Sequence, residues 1–539
     1  MRRLVRLRIF SQVLFFCLFV WLIFTTQYRY DKNSESVSGW LKLFFDLNPL
    51  NLIGIAGAAG IIYKTLVLGI MLIVLTIVFG RFFCGWVCPL GSLNNFFSAF
   101  KHENAGKSLL TRNIYKPYQK LKYYLLFFFA GMAILGSLQT GLLDPISLLA
   151  RSIGLVVFPA LFLLLRLIFG WFLDSGVALL AAVGDGLYRF SEMLFLPQKQ
   201  PLYNGVFWLA LILAAVIVGN RLYTRFWCRA LCPLGALLGI FAGFSIFGLK
   251  KDEPKCDDCG KCLLRCQGGD NPHRQLPHHR SECHLCLNCL EACPNGALSF
   301  GFSAGDSSLI KGPDLSRRKL ILGVVAGAAA VPVLRSGLDR SRHENQSLIR
   351  PPGALTESEF VARCIRCGQC MKICPTNALH PAILEAGWEG IFSPVLIPAI
   401  GYCEHTCVLC GQSCPTGAIR PLSQNEKTGD RQIPPVRIGT AFIDRGRCLP
   451  WALGKECIVC EEWCPTSPKA IRLEPVEQTW PDGRNVKLRR PYIIPEECIG
   501  CGACEYACPV QGDKAVYVRS VGESRNPKNE MLLHRPKRQ

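Results

Sequence analysis

The sequence has no Cys-x-x-Cys-His motif, and it has only nine histidines among 539 residues. Covalent c-type haem uses that motif, so its absence excludes this cofactor. None of the histidines lies inside a confident apolar run, so a haem b held by two histidines within a bilayer is not expected either. We therefore predict that the chain carries no haem. The histidines are His102, His273, His278, His279, His284, His343, His380, His405 and His534.

Acidic residues are also few, 39 against 60 basic residues, and the formal net charge is +21. A basic balance is typical of proteins that bind nucleic acid, but much of this charge lies beside apolar runs, where the positive-inside rule places it. We expect no nucleic-acid partner. The remaining basic residues, including the C-terminal tail 534–539, would steer acidic redox partner proteins. The clusters beside apolar runs are Arg2, Arg3, Arg6 and Arg8, then Arg81, Lys101, Lys107, Arg112, Lys116, Lys120 and Lys122, and finally Arg221, Arg225 and Arg229.

Half of the residues are hydrophobic, and they are concentrated in the first 250 positions. Four apolar runs come near the roughly 20 residues that cross a bilayer core. They are residues 9–26, 65–83, 123–143 and 206–223. The first run lacks a small-residue cleavage pattern, so it is not expected to be a removable signal peptide. These runs predict an α-helical membrane domain over residues 1–249.

Two further apolar stretches are ambiguous. Residues 48–63 are too short to cross and are expected to be interfacial or re-entrant. Residues 152–197 carry Pro159 and Arg166 near the middle of an apolar run. Because an arginine at mid-bilayer is costly, interfacial helices are preferred, with a hairpin of two spans as the alternative.

What the chain has in abundance is cysteine, 29 residues in all, and 24 of them fall into six closely spaced sets of four. Disulfide frameworks are usual in small secreted domains, and zinc ribbons use two pairs separated by a long loop. The spacing C-x2-C-x2-C-x3-C is instead typical of bacterial ferredoxins. It predicts six [4Fe–4S] clusters, although either variant set would alternatively hold a [3Fe–4S] cluster or none. The regular sets are Cys256, Cys259, Cys262, Cys266; Cys283, Cys286, Cys289, Cys293; Cys364, Cys367, Cys370, Cys374; and Cys498, Cys501, Cys504, Cys508; the variants are Cys403, Cys407, Cys410, Cys414 and Cys448, Cys457, Cys460, Cys464.

In bacterial ferredoxins the fourth cysteine of such a run ligates the neighbouring cluster. This rule predicts that Cys293 joins the first three cysteines of the preceding set, and that Cys266 joins the first three of the following set. For the four later sets the sequence does not say which pairs with which.

An eleven-residue motif occurs twice, at 81–91 and 225–235, with seven identical positions. Each copy ends an apolar run and contains C-x3-C-P. Cysteines at i and i+4 share a helix face, so Cys84, Cys88, Cys228 and Cys232 are candidates for a membrane-level redox or ligand site. The alternative is that they are small buried hydrophobic residues. Cys17, alone in an apolar run, is expected to be a packing residue.

The later part of the chain is polar and rich in cysteine, proline and glycine. We predict a two-cluster ferredoxin domain at 250–300, a twin-arginine-like transmembrane segment at 312–335 and a four-cluster domain at 350–539. A stop-transfer anchor or a buried helix with a basic flank is the alternative for 312–335. The predicted fold class is mixed: an α-helical membrane domain of four spans plus interfacial helices, followed by small α+β ferredoxin-like domains.

With its paired C-x3-C-P motifs and two-cluster domain, the N-terminal part resembles the NapH/NosR-type membrane ferredoxins. Residues 316–539, with Arg317, Arg318, the run 350–353 and four cysteine sets, resemble the NapG/MauM ferredoxin-type proteins. The resemblance implies a fusion of the two, in which electrons pass from quinol to a periplasmic reductase. This chain departs from the usual family pattern in two ways: the two proteins are fused, and three residues instead of two follow Cys403 before the next cysteine. The resemblance does not identify the terminal electron acceptor.

The function predicted from these features is a membrane-bound iron–sulfur relay that takes electrons from the quinone pool to a redox partner. A maturation or regulatory factor, which supplies electrons while a partner metalloenzyme is assembled, is the alternative. An enzyme with its own substrate pocket ranks third, because no nucleotide loop or pocket motif is present. The predicted location is the bacterial inner membrane, in multi-pass topology, with residues 250–300 cytoplasmic and the C-terminal domain periplasmic.

Overall fold

The structure is a computed structural model that describes residues 2–26, 39–99, 113–194, 196–197, 200–273, 276–302, 309–310, 312–313, 315–338, 346–430, 432–479 and 485–529. The described residues between 2 and 242 form a bundle of apolar helices, called here the helix bundle. Its α-helices are α1 Arg2–Thr25, α2 Leu43–Asp46, α3 Pro49–Ala59, α4 Leu68–Phe79, α5 Phe82–Trp86, α6 Pro89–Ala99, α7 Leu121–Ile134, α8 Pro145–Ser152, α9 Phe158–Leu173, α10 Ala178–Leu194, α11 Val206–Leu222, α12 Phe226–Ala230 and α13 Pro233–Ala242.

Two helices among the described residues are long and apolar enough to cross a membrane. One is Arg3–Thr25, which covers the first predicted span except for residue 26, and the other is Pro145–Leu173. The prediction of four spans at the stated places is not supported, because the other three runs form helices of 12, 14 and 17 residues, α4, α7 and α11. Glycines in the left-handed conformation end two of these helices. Gly80 ends α4 with φ 81°, and Gly136 follows the end of α7 with φ 79°.

Residues 145–194 form a helical hairpin. The α8 helix continues through a π-helical turn, Ile153–Val157, into α9, and α10 returns alongside it after a short turn. A Cβ at Gly184 of α10 would lie 2.8 Å from the Cβ of Phe172, so the two helices are in close contact. Arg166 donates a hydrogen bond to the carbonyl of Pro197. Residues 152–194 thus fold as a helical hairpin, and one of its arms belongs to Pro145–Leu173, which is long and apolar enough to cross a membrane. The preference for interfacial helices over a hairpin of two spans stays a prediction.

The first ferredoxin module follows the bundle and is enclosed by a two-stranded antiparallel sheet. Strand β1 is Phe247–Lys251 and β3 is Leu298–Phe302, with Phe247 opposite Phe302. Between them lie α14 Lys261–Leu264, β2 His278–His279 and α15 Asn288–Ala292. Strand β4, Leu309–Ile310, pairs in parallel with β2 and so keeps the outgoing chain beside this module.

Helix α16, Arg317–Leu338, then runs along α7. The two helices touch through glycine: a Cβ at Gly327 would lie 1.9 Å from the carbonyl oxygen of Phe128. Small residues at such a contact allow two backbones to approach closely, as they do in membrane helix pairs. At the far end of α16, Arg335 pairs with Glu389 at 3.2 Å.

The second ferredoxin module comprises residues 346–529. Its helices are α17 Glu357–Arg363, α18 Gln369–Lys372, α19 Leu409–Gln412, α20 Gln424–Thr428, α21 Val459–Glu462 and α22 Ala503–Ala507; its strands are β5 Leu379–Pro381, β6 Pro394–Leu396, β7 Thr440–Ile443, β8 Ile471–Thr479, β9 Asn485–Ile493 and β10 Val516–Arg519. Each sheet has two antiparallel strands, β5 with β6, β7 with β10 and β8 with β9.

Helix α1 contacts both modules. Near its start, Val5 packs against Leu287 and Leu290 of the first module. Near its end, the carbonyl of Ile23 accepts a hydrogen bond from Lys372 of the second module. Its 24 residues rise about 36 Å at 1.5 Å per residue. The two ferredoxin modules therefore lie at opposite ends of the helix bundle.

Candidate metal centres

The four regular cysteine sets share one backbone feature. The residues just before and just after the second cysteine have positive φ: Asp258 and Gly260, Leu285 and Leu287, Arg366 and Gly368, Gly500 and Gly502. Left-handed residues turn successive backbone N–H groups into an anion-binding concavity. For residues other than glycine this conformation costs about 1–3 kcal/mol and persists mainly at functional sites. The loops are therefore shaped to hold an anionic group, and a thiolate-ligated [4Fe–4S] cluster is one.

The variant sets lack this feature at the corresponding place. Val408, after Cys407, has φ −122°, and Ile458, after Cys457, has φ −120°. The longer spacings of these sets thus come with a different loop conformation.

In the first module, Cys256, Cys259, Cys262 and Cys293 line one pocket. We call them the Cys256 set. Cys266 interacts electrostatically with Cys286, and Cys289 interacts with both of them. Together with Cys283 these residues form the Cys283 set. Each set brings together the four thiols for which the sequence predicts a shared cluster. The Cys256 set reaches the surface, since Cys259 is exposed, while three of the four residues of the other set are buried or nearly so.

In the second module the same crossing occurs twice, and here the sequence left the pairing open. Cys414 lines one pocket with Cys364, Cys367 and Cys370; these four residues are called the Cys364 set. Cys374 interacts with the thiols of Cys403, Cys407 and Cys410, the Cys403 set. Likewise, the thiol of Cys508 interacts with those of Cys448 and Cys460, which both interact with that of Cys457, and these four residues are called the Cys448 set. The thiol of Cys464 interacts with those of Cys498, Cys501 and Cys504, and these four are called the Cys498 set.

These sets follow one another in space in an order that differs from the sequence. The Cys364 set adjoins the helix bundle, where Ile365 and Cys367 belong to the bundle's core. The Cys403 set comes next, and the backbone N–H of Cys403 donates to the carbonyl of Cys501 at 2.8 Å. The Cys498 set then leads to the Cys448 set through Cys504 and Cys460. The order from the bundle outward is therefore Cys364, Cys403, Cys498, Cys448.

The thiol spacing of these sets does not match that of a single tetrahedral ion. Among the described residues, one group of three or more Cys, His, Asp or Glu has all its ligand atoms within 4.8 Å of one another: Asp270, His278 and Cys283. Around a tetrahedral zinc with 2.3 Å bonds, the sulfurs would be about 3.8 Å apart. The six sets are more open, as a multi-iron cluster requires.

The two C-x3-C-P motifs converge. Each of the six pairs among Cys84, Cys88, Cys228 and Cys232 interacts electrostatically, and all four side chains are buried. Cys17, which the sequence set apart from this site as a packing residue, is exposed on α1, so that packing role is not seen within the described residues. Asn94 donates to the Cys228 sulfur at 3.3 Å and is held by Asn220 at 2.7 Å. Nothing in the sequence pattern singled out these two asparagines.

A second group that sequence reasoning missed is an ionic network around Glu282, which directly precedes Cys283. Its carboxylate pairs with Lys122, accepts from Tyr123 at 2.8 Å, and lies 3.7 Å from Arg81. The charged side chains are at most 2% exposed. Burial disfavours the ionised carboxylate, but Lys122 and Arg81 outweigh it and lower the pKa of Glu282. The network ties the first module to α7 and to the first C-x3-C-P motif.

In the second module Glu357 holds two segments together. It pairs with Arg350 at 2.6 Å, in the segment that opens the module, and with Arg525 at 2.8 Å, near the last described residues. Burial raises its pKa, but Arg350 and Arg525 outweigh burial and lower the pKa from 4.5 to about 2.

We expect Glu357→Gln to destabilise the second module at neutral pH by about 3 kcal/mol, at 1.36 kcal/mol per pKa unit. Because the folded pKa lies below the unfolded one, this contribution is present above pH 4.5 and is lost as the pH falls towards 2. Denaturant unfolding of wild type and variant at each pH measures the difference, and acid loss of clusters affects both alike. Glu359→Gln, exposed on the same helix, is the control; a difference that stays constant with pH would contradict the assignment.

Two family models match this chain, and both are described as a 4Fe-4S binding domain. One matches residues 61–107 and 204–251, and the other matches residues 361–380 and 491–511. The first pair of matches contains the two C-x3-C-P motifs. No solved structure matches the chain.

Among curated relatives, the ferredoxin-type protein NapG of Escherichia coli K12 is 32% identical over 208 residues, covering 37% of this chain and 84% of NapG. The methylamine utilization ferredoxin-type protein MauM of Methylorubrum extorquens is 33% identical, covering 39% of this chain and 94% of MauM. The putative electron transport protein YccM of Escherichia coli K12 is 24% identical, covering 53% and 71%. The predicted resemblance of the C-terminal part is confirmed, while that of the N-terminal part to NapH/NosR-type proteins stays a prediction.

Proposed function

We propose that this chain, which belongs to the family of ferredoxin-type proteins that includes NapG and MauM, is a membrane-bound conduit that carries electrons from quinol to a redox partner protein. It is an iron–sulfur electron-transfer protein. The observation that carries the finer proposal is the position of the two ferredoxin modules at opposite ends of an apolar helix bundle.

The bundle fits a bilayer in length and in surface. The rise of α1, about 36 Å, exceeds the roughly 30 Å of a hydrocarbon core. Large apolar side chains face outward from the helices; Trp171 is 68% exposed, Leu179 74% and Phe207 68%. Soluble monomers rarely expose large contiguous apolar patches, and exposed side chains of this kind occur on α9, α10 and α11. We infer a multi-pass inner-membrane protein, with lipid around the bundle.

Charge supports one orientation. The arginines at the start of α1, and those of the two motifs, belong to the end of the bundle that carries the first module. The positive-inside rule then makes that module cytoplasmic and the second module periplasmic. Helix α16 begins at Arg317 and Arg318, at the cytoplasmic end, where a twin-arginine signal would be read. Export of a folded domain suits clusters that are assembled in the cytoplasm.

The residues arrange six candidate cluster sites, and a bound [4Fe–4S] cluster supplies one-electron transfer. The Cys364 set is held against the bundle by close packing; a Cβ at Gly141 would lie 2.3 Å from the carbonyl of Ile365. The Cys448 set lies at the other end of the series. Beside it, the guanidinium groups of Arg445 and Arg490 lie over the Trp451 ring, and Lys455 is exposed, which suits an acidic redox partner.

A quinol titration tests the proposal. We expect a menaquinol analogue, added without oxygen to the purified full chain, to bleach the visible absorbance of its clusters. In Cys367→Ser, which breaks the set nearest the bundle, the later sets of the second module should stay oxidised. In the matched variant Cys457→Ser, at the far end, the other three sets should still be reduced. An unbleached wild-type spectrum would refute quinol as the donor.

A further inference from the structure

The Cys283 set has a buried carboxylate in direct contact with its thiols. The Cys266 thiol donates to Oδ1 of Asp270 at 2.6 Å. The same carboxylate interacts with the thiol of Cys283. Asp270 and Cys266 are each 4% exposed, so this contact lies in the interior of the first module.

The distances in this group suit metal ligation. Asp270, His278 and Cys283 each offer one ligand atom, and these three atoms lie within 4.8 Å of one another. No other group of three or more Cys, His, Asp or Glu among the described residues meets that limit. Carboxylate oxygen, imidazole nitrogen and thiolate all bind iron in proteins. Because Cys283 is a predicted cluster ligand, an oxygen donor lies beside an iron position of this set.

His278 holds the carboxylate in place. Its Nε2 lies 3.1 Å from Oδ2 of Asp270, and the residue is 1% exposed. The Nδ1 of the same ring has no hydrogen-bond partner among the described residues. The backbone N–H of His279 also donates to the carbonyl of Asp270 at 2.9 Å. Partners of this kind orient a metal-ligating side chain. With Oδ2 held by the imidazole, Oδ1 is the oxygen that faces the thiols.

The equivalent position in the other sets carries no side-chain oxygen. Asp270 lies four residues after Cys266, the fourth cysteine of its run, which completes the neighbouring set. Four residues after the corresponding cysteine of the other five runs stand Ala297, Ala378, Ala418, Pro468 and Gly512. The backbone N–H groups of Ala297 and Ala378 each donate to that cysteine's sulfur at 3.3 Å, and Asp270 makes the same backbone contact with Cys266. The backbone contact is therefore shared, while the carboxylate is specific to the loop after Cys266.

The charge of this carboxylate needs a partner at each oxygen. An ionised carboxylate among cluster-bound thiolates meets like charge in a site with little water. Burying a charge costs free energy unless the charge is paired or coordinates a metal. The imidazole of His278 accounts for Oδ2 of Asp270, but Oδ1 contacts a thiol. An iron of the cluster would supply the positive charge that Oδ1 lacks.

We propose that Asp270 is a fifth iron ligand of the Cys283 set, in reserve to Cys266. When the Cys266 thiolate leaves, its Fe–S bond breaks and Oδ1 of Asp270 forms an Fe–O bond to the same iron. No electron is transferred, one anionic ligand replaces another, and the freed thiolate takes a proton from water. This set therefore keeps its cluster when the thiol of Cys266 is lost to oxidation or alkylation. The proposal concerns this site alone and does not depend on quinol as the electron donor.

Iron and acid-labile sulfide are counted in the full chain, purified in detergent without oxygen or added thiols. We expect Cys266→Ala to keep the wild-type count, because Asp270 holds the iron. Cys266→Ala/Asp270→Asn should lose between about one iron atom, which leaves a [3Fe–4S] cluster, and about four, the content of a cubane. Cys293→Ala is the matched control, since Ala297 follows it at the equivalent place, and it should lose iron as the double variant does. Retained electron-paramagnetic-resonance signals of the other clusters show that each variant is folded.

Two results would overturn the proposal. One is a loss of iron, or a new [3Fe–4S] signal, in Cys266→Ala equal to that in the double variant. The other is a double variant that keeps all its iron, because a ligand other than Asp270 would then hold the cluster.

If Cys266→Ala does not fold, Asp270→Asn decides, since it keeps every thiol. We expect air to release iron several-fold faster from Asp270→Asn than from the wild type. Glu253→Gln, an exposed residue of the same module, should release iron at the wild-type rate. Equal rates of release in Asp270→Asn and the wild type would refute the reserve role.

Discussion

Replacing Cys374 with serine is expected to empty the site of Cys403, Cys407 and Cys410, and to leave Cys364, Cys367 and Cys370 filled. Cys374 follows the latter three in sequence, but its thiol interacts with the former three. Loss of an outer-shell partner alone lowers metal affinity about 10–100-fold, and loss of a ligand should lower it further. The reciprocal variant, Cys414→Ser, should empty the Cys364 set instead.

Alkylation of the intact protein, followed by peptide mapping, measures which thiols are freed. Cysteines that hold a cluster resist alkylation, so the freed thiols identify the emptied site. In Cys374→Ser we expect strong labelling of Cys403, Cys407 and Cys410 with the Cys364 set protected. The control is Cys17→Ser, in which both sets should stay protected. Labelling of Cys364, Cys367 and Cys370 in the Cys374 variant would mean that each contiguous run holds its own cluster.

Glu282→Gln is expected to release the first ferredoxin module from the helix bundle. The substitution removes one partner of a buried ionic network and leaves Lys122 and Arg81 without their carboxylate. Breaking a buried pair in this way costs roughly 3–5 kcal/mol, because the remaining charge stays desolvated. The neutral amide keeps the size of the side chain, so the loss reports charge rather than packing.

Hydrogen exchange of the full chain in detergent measures this effect. We expect faster exchange in residues 281–286 and along α7, together with a lower apparent melting temperature. Glu253→Gln, an exposed residue of the same module, should change neither. Unchanged exchange at the interface in Glu282→Gln would show that the network contributes little to docking, whatever happens elsewhere in the module.

Helix lengths show where the sequence pattern was insufficient. The apolar runs at 65–83 and 123–143 continue through Gly80 and Gly136, and hydropathy does not register that a left-handed glycine ends a helix. In contrast, the stretch 152–197 was interpreted through Arg166, whose guanidinium donates a hydrogen bond to the carbonyl of Pro197 in the folded chain. Such a partner, 31 residues away, is not visible in a local window.

The sequence by itself determined the chemistry: the cysteine spacings predict [4Fe–4S] binding and the carrier class, because a cluster needs its first three thiolates within one short loop. Tertiary structure alone decided which fourth cysteine completes each of the four sets in the second module, the order of these sets outward from the bundle, and the convergence of Cys84, Cys88, Cys228 and Cys232. These are contacts between residues far apart in the chain, and they depend on how helices and loops pack. Buried Arg81 and Glu282 are a further example of such long-range contacts. Their partners come from distant parts of the chain, so no sequence pattern indicates them.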